Sequence, residues 1–403
     1  MKRQRGATTM APCVKPSTFL ALLCLHAMLS GLSPALAQGQ EKCLGMLAPW
    51  SPFIDDGSER ALRAGYGGDI GFGDDWIDGM ADVDGGRALQ QRGRRRVAPF
   101  RPLKRLCDKE KRIKKQMSDA EQPLKRCLLS NRLCSESESV VVNASMILPS
   151  VSRLIAKRRP PESSCITVHL QGKCASFKGN PETHMVYRGK GLSSSSLKKI
   201  ALPGEEMRTN FSTCAVVGNG PGLNGDKARV IDEHDAVFRF NTIQEADRQG
   251  HKTTHRVLNN KRVIAYIKRR AIRQRTKVSP GEIWLIWNYT TMHFVSALGK
   301  HVQNVRIMSP TLLKRMVDSY FNIRRDLARF GIPMGCSLNM NSGIHGLLLA
   351  LEVCDTVNVF GFSHTRRMLK EPSLNARMSK HHDWSTDVLI MKLLGMANVI
   401  NLC

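Results

Sequence analysis

Acidic residues are scarce in this chain of 403 residues: 34 Asp and Glu face 61 Lys and Arg, leaving a net charge of +27. An excess of that size implies an anionic partner, whether nucleic acid, an acidic membrane surface or an anionic substrate, without choosing among them. No zinc-finger, homeodomain or RNA-recognition pattern accompanies the charge, so nucleic-acid binding is not expected. The densest basic run, residues 91–115 with twelve Lys/Arg against two Asp/Glu, reads as a solvated, disordered block. No C-x-x-C pair occurs among the cysteines, which argues against a zinc site.

Charge is also missing from Pro16 to Gln40, behind a basic MKRQR terminus and around the apolar FLALLCLHAML of residues 19–29. Two readings stay open. Ala35-Leu36-Ala37 before Gln38 fits a cleaved signal peptide. An uncleaved signal anchor over 16–37, with residues 1–15 cytoplasmic, fits the apolar length and the basic flank. Either reading sends the remainder into the secretory lumen. In that oxidising compartment the ten cysteines after the apolar segment, from Cys43 to Cys403, are disulfide candidates. Three N-glycosylation sequons agree with it: Asn143-Ala144-Ser145, Asn210-Phe211-Ser212 and Asn288-Tyr289-Thr290.

Residues 38–158 lack helical or strand periodicity. The Gly/Asp-rich stretch 65–86, the basic run and SESES at 135–139 compose a largely disordered stem. From 159 to 403 the pattern changes to short apolar runs alternating with helical stretches. Strands are expected at Ala215–Val217, Ala236–Phe240, Arg256–Leu258, Ile283–Trp287, Val305–Met308, Val357–Phe360 and Val399–Leu402. Helices are expected at Pro310–Arg329, Gly343–Glu352 and Thr386–Leu394. This alternation predicts an α/β fold, a Rossmann-like, mostly parallel sheet with helices on both faces.

CAVVGNGPGLNG at 214–225 resembles a strand entering a phosphate-binding turn. A dinucleotide fingerprint fails there: the third glycine is replaced by Leu223, and the ribose-binding acid by Asn241. A Rossmann oxidoreductase is therefore nearly excluded. No Gly-Lys-Ser/Thr closes the loop, which removes a P-loop. What the loop retains is glycine, for close backbone approach, and the amides Asn219 and Asn241, a set suited to one phosphate and a nucleoside.

Read further, CAVVGNGPGLNGDKARVIDEHDAVFRFN (214–241), followed by GHKTTHR (250–256), closely resembles the L sialylmotif of the eukaryotic sialyltransferases, glycosyltransferase family 29. NSGIHGLLLALEVCDTVNVFGF (341–362) is similar to the S motif of that family, and HDWSTDVLIMKLL (382–394) to its very short motif. The resemblance runs from Cys214 to the C-terminus. It implies a GT-A-like variant of the fold and a lumenal, type II Golgi membrane enzyme. It further implies a CMP-sialic acid donor, or a related CMP-linked 2-keto-3-deoxy sugar acid, a glycoprotein or glycolipid acceptor, no metal or other cofactor, and inversion at the transferred sugar. By position it assigns donor binding to Gly218, Asn219, Asn241, Ser342 and Gly343. It makes His382 the general base, with Asp387 helping to fix the site, and it implies a disulfide between Cys214 and Cys354. Cys403 would pair with Cys165 or Cys174.

The chain departs from the family pattern in three places. Pro-Ser/Thr-Ser/Thr-Gly is replaced by Met340-Asn341-Ser342-Gly343, and the acid of the very short motif is Asp387 in place of Glu. The His-Tyr-rich motif III has no counterpart between Phe362 and His382, where His364 and His381 are the available histidines. A catalytically inactive lumenal homologue that binds CMP or glycan is therefore the alternative function. Asp82-Val83-Asp84, a D-x-D pattern in the stem, is read as a chance match. Trp284, Trp287 and Tyr289 are read as core in preference to a sugar-stacking wall, and the basic run Lys268–Arg275 as a solvated helix face.

Overall fold

The computed structural model describes residues 110, 112–113, 119–129, 148–156, 165–169, 202–219, 227–241, 250–268, 278–300, 302–332, 340–362 and 382–403. Asn143, the Asp82–Asp84 pattern, His364, His381, Cys174 and residues 1–37 lie outside them. Among the described residues no helix is long and apolar enough to cross a membrane.

Seven strands follow in chain order: β1 (Phe211–Val217), β2 (Ala236–Phe240), β3 (His255–Leu258), β4 (Ile283–Ile286), β5 (Asn304–Ile307), β6 (Cys354–Phe360) and β7 (Asn401–Leu402). They form one sheet in the order β5-β4-β3-β2-β1-β6-β7. Every pair is parallel. Buried runs such as Val216-Val217 and Trp284-Leu285-Ile286 are what a sheet covered on both faces requires. Each expected strand falls on an observed one, displaced by a few residues at its ends.

Eight helices are described: α1 (Gln122–Leu129), α2 (Pro149–Ala156), α3 (Lys227–Asp232), α4 (Asn260–Lys268), α5 (Val295–Gly299), α6 (Pro310–Arg329), α7 (Ser342–Val353) and α8 (Trp384–Met396). The α6 start follows from local chemistry. Ser309 is the N-cap, its hydroxyl oxygen accepting from the Leu312 N–H, and Pro310 opens the first turn. The all-apolar face of α7 lies on the sheet. Gly346 permits this close packing, because a Cβ there would stand 2.3 Å from the Phe240 ring.

The chain builds the sheet from β1 toward β5, then crosses back to lay β6 and β7 on the other side of β1. The topological switch point is therefore the β1–β6 pair, where ligands of such sheets bind beyond the carboxyl ends of the strands. A disulfide joins Cys214 of β1 to Cys354 of β6, 140 residues apart. Closing a loop of that length contributes about 4–5 kcal/mol in the chain-entropy model. Cys127, Cys165 and Cys403 are disulfide-bonded as well.

The folded unit begins earlier than residue 159. Parts of the stretch expected to be stem are helices α1 and α2, and they bury Leu124, Leu128, Leu148 and Val151 completely against the core. Lys392 of α8 donates to the carbonyls of Cys127 and Leu128, capping the C-terminal end of α1. Compositional bias hid these helices, since each is only two turns long. The consequence is measurable. Leu128→Ala is expected to lower stability by about 2–5 kcal/mol. Leu129→Ala, one residue on and 38% exposed, should change it by less than about 0.5 kcal/mol. Thermal or denaturant unfolding of the two variants reads the difference.

Candidate active site

Three segments meet at the carboxyl end of the switch point: the turn after β1, the turn after β6, and the N-terminus of α7. Gly218 pairs its N–H with the Phe360 carbonyl at 2.7 Å. A Cβ on Gly218 would lie 2.6 Å from the Gly361 carbonyl oxygen and 3.0 Å from the Phe362 ring. A Cβ on Gly343 would lie 2.9 Å from the same ring. Both glycines thus serve the packing of Phe362 between β1 and α7. This corrects the expectation for Gly218: its N–H is committed to β6 and is not aimed at an anion. Gly361, with φ at +66°, requires the left-handed conformation glycine adopts at no cost.

The two amides are oriented by their partners. Asn219, exposed at the end of β1, donates through Nδ2 to the Phe240 carbonyl at 3.2 Å. A carbonyl only accepts, so the Asn219 oxygen is the atom left to face outward. Asn241, at φ +58°, does the reverse: its Oδ1 accepts from the Asn259 N–H at 2.9 Å. Its carbonyl accepts from the Tyr266 hydroxyl at 2.7 Å. The Asn241 Nδ2 is the group outside that bond, so the pair offers one acceptor and one donor rather than two donors.

The N-terminus of α7 is built with care. Asn341 is the N-cap, its Oδ1 accepting from the Ile344 N–H at 2.8 Å. Ser342 Oγ accepts from Trp287 Nε1 at 3.1 Å. His345, fully buried, stacks on the Trp287 ring at 4.3 Å and hydrogen-bonds through Nδ1 to the Asn341 carbonyl at 2.8 Å. Burial, with a smaller contribution from the charge of His382, lowers the His345 pKa to about 4. His345 is thus a neutral wall beside His382. Trp284, Trp287 and Tyr289 are all buried, with their polar atoms bonded to Glu282, Ser342 and the Met308 carbonyl. They are core, not a sugar platform.

His382 stands just before α8, its ring edge-on to Trp384 at 5.7 Å. Asp383 is the N-cap of that helix, accepting from the Thr386 N–H and hydroxyl. Asp387, one turn in, is 2% exposed. It accepts from the Tyr320 hydroxyl at 2.9 Å and from Asn341 Nδ2. Its place is behind the site, tying α8 to α7, and not in contact with a substrate. Burial first, and then the neighbouring Asp383 charge, push its carboxyl up to about 8.

The family model for glycosyltransferase family 29 (sialyltransferase) matches residues 180–388, which span all of these elements. The chain belongs to this family. Sialyltransferase-like protein 1 of Oryza sativa subsp. indica is 28% identical over 184 residues, 40% of this chain and 45% of that protein. Beta-galactoside alpha-2,6-sialyltransferase 1 of Homo sapiens is 28% identical over 189 residues, 41% of this chain and 44% of that protein. The chain thus spans about half the length of the curated relatives it matches. A crystal structure of a mammalian sialyltransferase is 16% identical, with a TM-score of 0.41, over 63% of this chain and 94% of that one.

Other residues of the first family motif hold the backbone. Asp232 accepts from the N–H groups of His251 and Lys252, and Asp235 from that of Thr213. His234 Nε2 meets the Asn358 amide at 2.7 Å, linking α3 to β6. Of the two remaining sequons, Asn210 is exposed just before β1 and Asn288 is half-buried after β4. Asn341, Tyr320 and Arg324 escaped the sequence reading. The signal was present for the last: Arg324 falls on the apolar stripe of α6, among Phe321, Leu327 and Ala328, where a guanidinium demands a buried anion.

Two outcomes follow. The folded Asp387 holds its proton to about pH 8 while the unfolded carboxyl releases it near 3.8. Its contribution to stability is complete below the lower value and is lost as pH rises toward the upper one. Between pH 6.5 and 8 the depressed histidines His345 and His255 are neutral in the folded state. In that window Asp387→Asn is expected to flatten the fall of melting temperature with pH. Gly218→Ala forces backbone to move at the β1–β6 turn and is expected to cost about 1–3 kcal/mol, read by thermal unfolding.

Proposed function

We propose that the protein transfers sialic acid, or a related 2-keto-3-deoxy sugar acid, from a CMP donor to a hydroxyl of a glycoprotein or glycolipid glycan. The single observation that carries this reading is the family match across residues 180–388, which contain the switch-point turn, the α7 N-terminus and His382. The anionic donor suits a protein of net charge +27. The Asn219 oxygen accepts from a nucleoside hydroxyl, and Asn241 Nδ2 donates to the nucleotide. The first turn of α7, at Ser342 and Gly343, offers its N–H groups and positive dipole end to the phosphate and carboxylate.

His382 takes the proton of the acceptor hydroxyl as its oxygen attacks the anomeric carbon. The bond from that carbon to the CMP phosphate breaks with its electron pair going to the phosphate oxygen, and attack from the opposite face inverts configuration. Charge accumulating on the leaving phosphate is what the α7 terminus stabilises. The reaction needs no metal. In this reading the enzyme works in the Golgi lumen, held to the membrane by its N-terminal segment as a single-pass type II protein, or secreted if that segment is cleaved. Asn143, Asn210 and Asn288 carry N-linked glycans, so endoglycosidase treatment should raise its gel mobility.

The missing motif III favours a second reading, a lumenal homologue that binds CMP without turnover. One experiment separates the two: purified protein is incubated with CMP-sialic acid and mixed glycan acceptors, with chelator present, beside a calorimetric measurement of CMP binding. Transfer by the wild type, reduced by about 10²–10⁴-fold in His382→Ala with CMP binding retained, is the expected result. CMP binding without transfer establishes the second reading, and absence of both removes the two together. Asn219→Ala should weaken CMP binding roughly tenfold, corresponding to about 1.4 kcal/mol.

A further inference from the structure

A buried polar chain reaches the candidate site from behind. Tyr320 and Arg324 lie one turn apart on α6 and are 2% and 1% exposed. The Arg324 guanidinium holds Glu110 in a bidentate pair, Nε at 2.9 Å and Nη2 at 2.8 Å. Its Nη1 donates to Asp383 Oδ2 at 3.1 Å and to the Tyr320 hydroxyl at 3.4 Å. The Tyr320 hydroxyl donates to Asp387, and Asp387 receives Asn341 Nδ2. Asp383 caps α8 and Asn341 caps α7. One turn of α6 therefore grips both helix N-termini. His382 immediately precedes one of these caps, and Ser342-Gly343 immediately follow the other.

We infer that Tyr320 and Arg324 are positioning residues of the candidate active site, holding the His382 loop and the α7 terminus in one geometry, with Glu110 as the outer anchor. Resting on the transferase reading above, the assignment follows from burial and direction. None of Glu110, Tyr320, Arg324, Asp383 and Asp387 is more than 7% exposed, so they act through the two termini. An apolar contact would hold these helices together but would leave their ends free to slide. Hydrogen bonds ending in two N-caps constrain both distance and angle, the use for which a costly buried ionic group is best suited. The charges also fit. Arg324 balances Glu110 and Asp383, and Asp387 is the carboxyl that remains protonated.

The Asn341–Asp387 contact adds an independent observation. These are two of the places where the chain departs from the family pattern, and they are partners. A longer cap residue meets a shorter acid, so the span is conserved while its halves change. Asn341→Ser should keep the cap on Ile344 yet fall short of Asp387, and Asp387→Glu should restore the reach.

The test measures kcat and KM for CMP-sialic acid, melting temperature, and hydrogen exchange of the peptides covering 341–346 and 382–387. The variants are Tyr320→Phe, Asn341→Ser and the Asn341→Ser/Asp387→Glu pair in the full chain. Tyr320→Phe and Asn341→Ser are each expected to lower kcat at least tenfold, with KM within threefold and melting within a few degrees. The double variant should return kcat to within threefold of wild type. Single variants within twofold of wild-type kcat, or no recovery in the pair, overturn the inference. If the wild type transfers nothing, the transferase reading fails by itself and exchange decides the positioning. Faster exchange at both caps in each single variant, reversed in the pair, supports it; unchanged exchange overturns it.

Discussion

The adjacency of β1 and β6 is the constraint on which the rest of the molecule depends. Residues 211–217 and 354–360 pair in parallel with β1 as the central strand, in the register Phe211↔Cys354 to Val217↔Phe360. Parallel pairing at this separation brings a heavy loop-closure cost, and the Cys214–Cys354 bond offsets much of it by restricting the unfolded chain. Once the pair is set, β2 to β5 extend to one side and β7 to the other. The turns after β1 and β6 then open onto the same crevice. Every candidate site residue is placed relative to that crevice.

The site itself is made of helix ends and strand ends rather than of long side chains reaching inward. Phe362 plugs the space between Gly218 and Gly343, and its ring meets Phe240 edge-on at 5.9 Å. This apolar floor lets polar groups be presented at its rim without being buried. The glycines of the first motif are explained by this floor at least as much as by any ligand, since the atoms a Cβ would strike belong to the protein.

Much of the basic character also turns out to be internal. Arg256 pairs with Glu282 inside the sheet layer, and Arg239 donates to the carbonyls of Gly250 and Lys252. Arg324 is nearly inaccessible. Burial opposes its charge, but Tyr320, Glu110 and Asp383 hold it well above the usual guanidinium range. A count of charges therefore overstates the positive surface presented to a donor, and the local field at the α7 terminus carries more of the argument than the net charge does.

By itself the sequence determined the parallel sheet, the place of its strands and the bounds of α6, because a buried parallel strand and an amphipathic helix write their periods directly into neighbouring residues. It also marked Asn219, Asn241, Ser342 and His382, through motifs whose spacing is local. The partnership of Asn341 with Asp387, the grip of Arg324 on Glu110 and Asp383, and the membership of α1 and α2 in the core were decided only by tertiary structure. These contacts join residues 46 to 214 positions apart, and nothing in the local pattern of one partner specifies the other. The roles of the amides belong to the same class. Which atom of Asn219 or Asn241 faces the crevice depends on whether a carbonyl or an N–H lies behind it, and that is a property of the fold.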